Sequence, residues 1–137
     1  MDRDTSILPF LLPEPIMLCG EVTHGKALGH TLGFPTANIS LNEGLDIRRG
    51  IYASRVELDG TSYIAVSNVG TRPTVDGEGV NFETHVIDFE GDLYGKSIRV
   101  TLLAYLREER RFSSVEELSL TIREDVRRAR AFFDGGL

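Results

Sequence analysis

Cysteine is nearly absent. Cys19 stands alone in 137 residues, which excludes both a disulfide framework and a cysteine-ligated zinc cluster. Bases are in the minority, with 15 Lys and Arg against 21 Asp and Glu and a net charge of −6. Neutralising a phosphate backbone takes clustered bases, so this balance argues against a nucleic-acid binder. It leaves room for a small phosphorylated ligand, which a few local groups can hold. Long apolar runs are missing as well. Ile7 to Leu12 is interrupted by Pro13, Glu14 and Pro15, and Asp2 and Asp4 flank Arg3 where a secretory signal would carry positive charge. The patch is far too short to span a bilayer. A cytoplasmic protein without membrane contact is expected, with residues 1–16 an extended arm packed on a domain of residues 17–137. Glycine is missing from one third of the chain: 12 of the 14 lie between Gly20 and Gly95, and none between Lys96 and Asp134.

What is present suits one ordinary domain. The hydrophobic share is 41% and the charged share 26%, which are globular proportions. A chain of this length buries roughly two-thirds of its unfolded surface and needs no staple. Glycine supplies the positive-φ turns that short strands require, so the first two-thirds reads as strands and turns. Ile51 to Leu58, then Asp59-Gly60, then Tyr63 to Val69 is a hairpin signal. Val80 to Phe89 is extended. In Ser97 to Leu106, Ile98, Val100, Leu102, Ala104 and Leu106 make one apolar face. With Met17 to Val22 and the region Ala37 to Leu41, about six strands result. Their spacing suits a small antiparallel barrel, which leaves no exposed edge.

The last third reads as one helix. Ser113 and Ser114 each precede a glutamate by three residues, the capping-box spacing. Val115, Leu118, Ile122, Val126, Ala129 and Phe133 form an apolar stripe. Glu116 and Glu117 open the helix, Arg127, Arg128 and Arg130 lie towards its end, and Gly135 is placed to cap it. Packing on the barrel is the expected role of the stripe, ahead of partner binding.

Several familiar motifs are excluded by spacing. Gly91 to Ser97 imitates a Walker loop but has three residues between its glycines instead of four, and a strand pattern follows it. Gly20, Gly25, Gly29 and Gly33 do not make a dinucleotide fingerprint. His24, His30 and His85 lack zinc-like spacing, and no nucleophile elbow is present. What remains is Gly20 to Asn38, GEVTHGKALGHTLGFPTAN. Glycines at this density let a backbone approach a ligand closely. Pro35 stiffens the segment, and residues two apart in an extended chain point the same way, so Thr36 and Asn38 converge on one small target. On these residues alone a structural turn and a phosphate site fit equally.

The segment resembles the signature of the riboflavin kinase (flavokinase) family, a glycine-rich stretch ending in Pro-Thr-Ala-Asn. Gly50-Ile51-Tyr52-Ala53, Asn68 to Thr74, Phe82-Glu83-Thr84-His85, Asp92-Leu93-Tyr94-Gly95 and Leu106 to Phe112 resemble later blocks of that family, in order. Together they span about Gly20 to Phe133. The resemblance implies a mainly β fold, a six-stranded antiparallel Greek-key barrel with a C-terminal α-helix. It implies transfer of the ATP γ-phosphate to the ribityl 5′-hydroxyl of riboflavin, giving FMN and ADP. A flavin-binding module without turnover is the alternative.

By the same resemblance, Glu83 is the general base. Asn81, Glu83 and His85 share one strand face, opposite Val80, Phe82 and Val86. Thr36 and Asn38 bind nucleotide phosphates and the divalent ion, Mg²⁺ or else Zn²⁺ or Mn²⁺. Both are neutral ligands, so phosphate oxygens and water must bring the negative charge. Gly25 cradles phosphate. His30 stands where the family usually has Arg or Lys, which makes a weaker, pH-dependent contact. Val86, Asp88 and Tyr94 align with the nucleotide pocket, and Arg107, Arg110 and Phe112 with flavin contacts. Bacterial relatives often fuse this domain to an FMN adenylyltransferase. Its His-x-Gly-His signature is absent and the residues before Gly20 are too few to encode it, so a monomer that stops at FMN, or an excised domain, is expected.

Overall fold

A computed structural model describes residues 10–23, 36–40, 46–75 and 77–135. Among the described residues, six strands and one helix follow in chain order: β1 Phe10–Thr23, β2 Ala37–Ser40, β3 Gly50–Leu58, β4 Thr61–Thr74, β5 Gly77–Val86, β6 Ser97–Arg107 and α1 Val115–Gly135. The strands close into a barrel in the order β1-β2-β5-β4-β3-β6, and every pair is antiparallel. β3, β4 and β5 form a meander, and β6 returns beside β3. That is the Greek-key order, as expected.

The β3–β4 hairpin turns where Asp59-Gly60 predicts it. Both residues have positive φ, 51° and 82°, the geometry that matches strand twist in a two-residue turn. Three elements differ from their expected bounds. β1 begins at Phe10, so the expected boundary at residue 16 falls inside a strand; Phe10 pairs with Tyr105 and Leu11 with Ala104 before the register shifts ahead of Ile16. Pro13 and Pro15 lie in that gap, and a proline has no N–H for the ladder, so the strand bulges there. β4 runs on to Thr74, because its pairing with β5 continues to Thr74 opposite Gly77. β5 stops at Val86 instead of Phe89, where Asp88 turns the chain with φ 63°.

Alternation sorts the side chains. Tyr52, Val56, Val69, Phe82, Val100 and Leu102 fill the barrel, each at most 2% exposed. Ser54, Ser67 and Thr84 cross this interior as a hydroxyl ladder, with Oγ–Oγ 2.7 Å and Oγ–Oγ1 3.0 Å, so the buried hydroxyls satisfy one another. Outside the barrel, Ala129 and Phe132 of α1 pack on Ile51, Ala53, Ala104 and Leu106. Of the predicted stripe only Ala129 is buried: Leu118, Ile122, Val126 and Phe133 are half-buried and Val115 is 58% exposed, while Phe132, outside that stripe, is buried, as is Asp125 in the middle of the helix.

Ser114 caps α1: its Oγ accepts the Glu117 N–H at 3.0 Å. Glu117 reaches back one residue further than a standard box, accepting the Ser113 N–H at 2.8 Å and the Ser113 hydroxyl at 3.0 Å. The Ser113 N–H and hydroxyl, with Arg110 beside them, hold the Glu117 carboxyl below the usual glutamate range. A carboxyl with a lowered folded-state pKa stabilises above its unfolded value, and that contribution is lost as pH falls through the folded one. Carboxyl NMR should therefore show Glu117 titrating below ordinary glutamates. Ser113→Pro, which removes the N–H donor, should move it back up.

Candidate active site

Glu83 sits on the outer face of β5, between Phe82 and Thr84, which point into the core. Its Cα partners are Asn38 on β2 and Asn68 on β4. Each carboxylate oxygen has one neutral donor: the Thr36 hydroxyl approaches Oε1 at 3.4 Å, and Asn81 Nδ2 donates to Oε2 at 3.0 Å. Among the described residues no Lys or Arg pairs with Glu83, whereas Glu57, Glu108, Glu117 and Glu124 each have an arginine. The charge of Glu83 is thus oriented without being neutralised. The short strand β2 presents Asn38 on the same wall, since Ala37 and Ile39 are buried. Thr36, Asn38 and Glu83 come together as the sequence predicts.

The outer wall continues away from Glu83 along one rung: Asn68, then Ile51, then Arg107. Three strand spacings of about 4.8 Å separate Glu83 from Arg107, roughly 14 Å along the curved surface. At that far end a cleft of about 460 Å³ opens between the end of β6 and the first turns of α1, lined by Arg107, Arg110, Glu117, Leu120, Thr121 and Arg128, among others.

A model of the riboflavin kinase family matches residues 12–133. The chain belongs to the riboflavin kinase family. A bifunctional riboflavin kinase/FMN adenylyltransferase of Pseudomonas fluorescens is 43% identical over 129 residues, 93% of this chain and 42% of that protein. The chain thus spans about two-fifths of the length of such curated relatives. Among solved structures, a riboflavin kinase from Trypanosoma brucei superposes with a TM-score of 0.63 at 26% identity, covering 89% of this chain and 82% of that one. A structure described as a macrolide-efflux protein from Streptococcus pneumoniae gives a TM-score of 0.79 at 36% identity, over 85% of this chain and 38% of that one.

The other residues that the riboflavin kinase resemblance singles out are spread more widely. Gly25 and His30 lie outside the described residues. Val86 points into the barrel core. Asp88 is at an exposed turn, where Arg130 of α1 donates two hydrogen bonds of 3.1 and 3.2 Å; these hold its carboxyl below the usual range. Tyr94 lies in the Gly91–Gly95 turn, its N–H bound to Asp92 Oδ1 at 2.9 Å. Both glycines of that turn have positive φ and β6 follows, which disposes of the Walker imitation.

At the far end of the rung, Arg107 donates through Nε and Nη2 to the two oxygens of Asp125, both at 2.8 Å, and through Nη1 to the Glu108 carbonyl at 2.9 Å. Three of its five N–H donors are thus engaged within the protein, which fixes the plane of the guanidinium. Arg110 pairs with Glu117 at 2.9 Å, and its guanidinium lies 5.1 Å from the Phe112 ring centre. Asn68 and Asn81, which flank and hold Glu83, are not among the site residues that the sequence names. Asn81 shares its strand face, a usable signal; Asn68 reaches Glu83 only through strand register.

Proposed function

We propose that this chain is an ATP:riboflavin 5′-phosphotransferase that makes FMN and ADP. The observation that carries the reading is the meeting of the Thr36 hydroxyl with the un-neutralised Glu83 carboxylate, Asn38 being the next residue across. The 3.4 Å contact is long, so an incoming hydroxyl displaces Thr36 with little loss. Asn81 keeps the other oxygen fixed meanwhile. Glu83 then accepts the ribityl 5′-hydroxyl proton as that oxygen attacks the γ-phosphorus. The bond to the β–γ bridging oxygen breaks, and ADP leaves. Phosphoryl transfer depends mostly on positioning and charge stabilisation, so a weak base suffices.

Thr36 and Asn38 supply hard, uncharged oxygen donors, which fit Mg²⁺ only when phosphate oxygens complete the set. When bound with nucleotide, the ion neutralises charge on the phosphates. Calorimetry should therefore show Mg²⁺ binding at least tenfold tighter with ADP than without nucleotide; equal affinity would contradict this ligand set. In this reading the nucleotide occupies the Thr36–Asn38 side with Gly25, His30, Val86, Asp88 and Tyr94. The isoalloxazine ring takes the cleft at the far end of the rung, stacking on Phe112 and on the guanidinium faces of Arg107 and Arg110.

The proposal includes a monomer working in the cytoplasm on small molecules alone; no helix among the described residues is long and apolar enough to cross a membrane. The test is FMN formation from riboflavin with Mg²⁺ and ATP, CTP or GTP. Absence of FMN with every nucleotide would overturn the reading.

A further inference from the structure

β6 leaves simple alternation on its way to Arg107. Its partners on β3 run Ser54–Leu102, Ala53–Ala104, Tyr52–Tyr105 and Ile51–Arg107, so Leu103 and Leu106 are each one extra residue on β6. Two β-bulges result. Continued straight on from Ser54–Leu102, the register would set Tyr105 opposite Ile51 and Arg107 opposite Arg49. The bulges carry Arg107 forward by two residues, about 7 Å, onto the rung of Asn68 and Glu83. They also exchange the faces. Alternation from Leu102 would keep Ala104 and Leu106 inside and Tyr105 outside. Instead Ala104 and Leu106 lie under α1, and Tyr105 joins the barrel interior, 6% exposed.

The inward ring has a place made for it. A side-chain carbon built on Gly50 would stand 2.5 Å from Tyr105 Cε1, 2.6 Å from its hydroxyl oxygen and 2.8 Å from the Arg107 carbonyl oxygen. Gly50 also has a φ of 151°, which residues with side chains rarely adopt. The Tyr52 ring meets Tyr105 edge-on at 5.2 Å, and the Arg48 guanidinium lies 3.8 Å from the Tyr105 ring centre. The Tyr105 hydroxyl donates to the Arg49 carbonyl at 3.2 Å, and the Tyr52 hydroxyl to the Arg48 carbonyl at 2.6 Å. Burial holds the Tyr105 hydroxyl above the usual tyrosine range, so it stays protonated and donating.

A core filler needs no such detour, since alternation already brings Ala104 and Leu106 inward. What the detour changes is the place of Arg107. We infer that Tyr105 and Gly50 are positioning residues for flavin binding: the ring wedged into the space over Gly50 holds the second bulge of β6, and that bulge seats Arg107 on the rung it shares with Glu83. The inference rests on the phosphotransferase reading, which lays the isoalloxazine ring beside Arg107. Arg107 is then fixed from two sides. Asp125 holds its guanidinium from α1, and the Tyr105–Gly50 contact holds its backbone from within the barrel. Neither Tyr105 nor Gly50 touches a ligand in this scheme; both act through Arg107. A binding group displaced by about 1 Å can cost up to about a hundredfold, and a slip along β3 moves it further than that.

The experiment compares the wild type with Tyr105→Ser, Gly50→Ala and Tyr105→Phe. Flavin fluorescence gives the riboflavin Kd, FMN formation gives KM for riboflavin and for ATP, and NMR cross-strand contacts between Ile51 and Arg107 report the register. Expected in Tyr105→Ser and Gly50→Ala are about tenfold rises in riboflavin Kd and KM, a KM for ATP within about twofold of the wild type, and loss of the Ile51–Arg107 contacts. Tyr105→Phe keeps the ring, so it should retain those contacts and bind riboflavin within about twofold of the wild type. Lost contacts with unchanged riboflavin affinity, or equal rises in KM for both substrates, would overturn the wedge while leaving the kinase reading intact. Tyr105→Phe reports even if the other two fail to fold: a tenfold loss there would assign the effect to the hydroxyl and overturn the wedge as well. A wild type that makes no FMN would instead take down the reading beneath it.

Discussion

Replacing Glu83 with Gln should lower FMN formation at least a hundredfold while riboflavin and ADP still bind within about twofold of the wild type. General-base catalysis contributes about 10²–10⁴-fold, and Gln keeps the shape of the side chain while removing its basic oxygen. Asn81 can still donate to the amide oxygen, and the Thr36 hydroxyl, which both donates and accepts, can turn to accept from the amide N–H. The loss should fall on kcat and not on KM, as for an interaction made in the transition state. Single-turnover FMN formation and flavin fluorescence separate the two. Residual turnover near the wild-type rate would mean that the proton leaves by another route, and that Glu83 is a wall residue. Retained binding without turnover would equally show that the barrel recognises flavin independently of the chemistry.

The second large effect is on stability. Asp125→Ala should destabilise the fold by about 3–5 kcal/mol, lowering the melting temperature by roughly 10 °C or more. Arg107 and Asp125 form a doubly hydrogen-bonded pair whose side chains are 18% and 5% exposed. Removing the acid leaves the guanidinium between β6 and α1 without its doubly hydrogen-bonded partner. The pair itself need not be favourable: desolvation offsets most of its attraction, so an apolar pair of similar volume should recover much of the loss. Calorimetry of Asp125→Ala and of the double variant Arg107→Met with Asp125→Leu distinguishes a stranded charge from lost packing. If both melt equally low, packing is the cause. The same Asp125→Ala protein should bind flavin less well, since Arg107 and Asp125 shape one wall of the cleft.

Much of this was readable from residue order. The alternation in Ser97 to Leu106, the Asp59-Gly60 turn and the glycine-free tail have local causes, and local causes survive into the fold. The Pro-Thr-Ala-Asn segment and Glu83 could be paired because each lies in a block with a recognisable pattern. Other features depend on distant partners. Asn68 meets Glu83 through strand register, which hydrophobic alternation leaves unspecified by any even number of residues. Asp125 sits within an apolar stripe and reads as a surface acid until Arg107, 18 residues earlier, is placed against it. The beginning of β1 was hidden because Pro13 and Pro15 argue against a strand, and they do break its pairing; the strand resumes on each side of them.

The ring also constrains how the chain reaches its native state. β1 is held on one side by β2 and on the other by β6, whose residues are separated from it by most of the sequence. Such remote partnerships raise contact order and slow folding, because loop entropy is lost before the partners reward it. During synthesis the first strand must wait on the ribosome until Ser97 to Arg107 emerge. Until then Leu18 and Val22, which the finished barrel buries, face solvent beside an open edge. A nascent chain stalled before residue 97 should therefore be a client for chaperones, and one released after it should not.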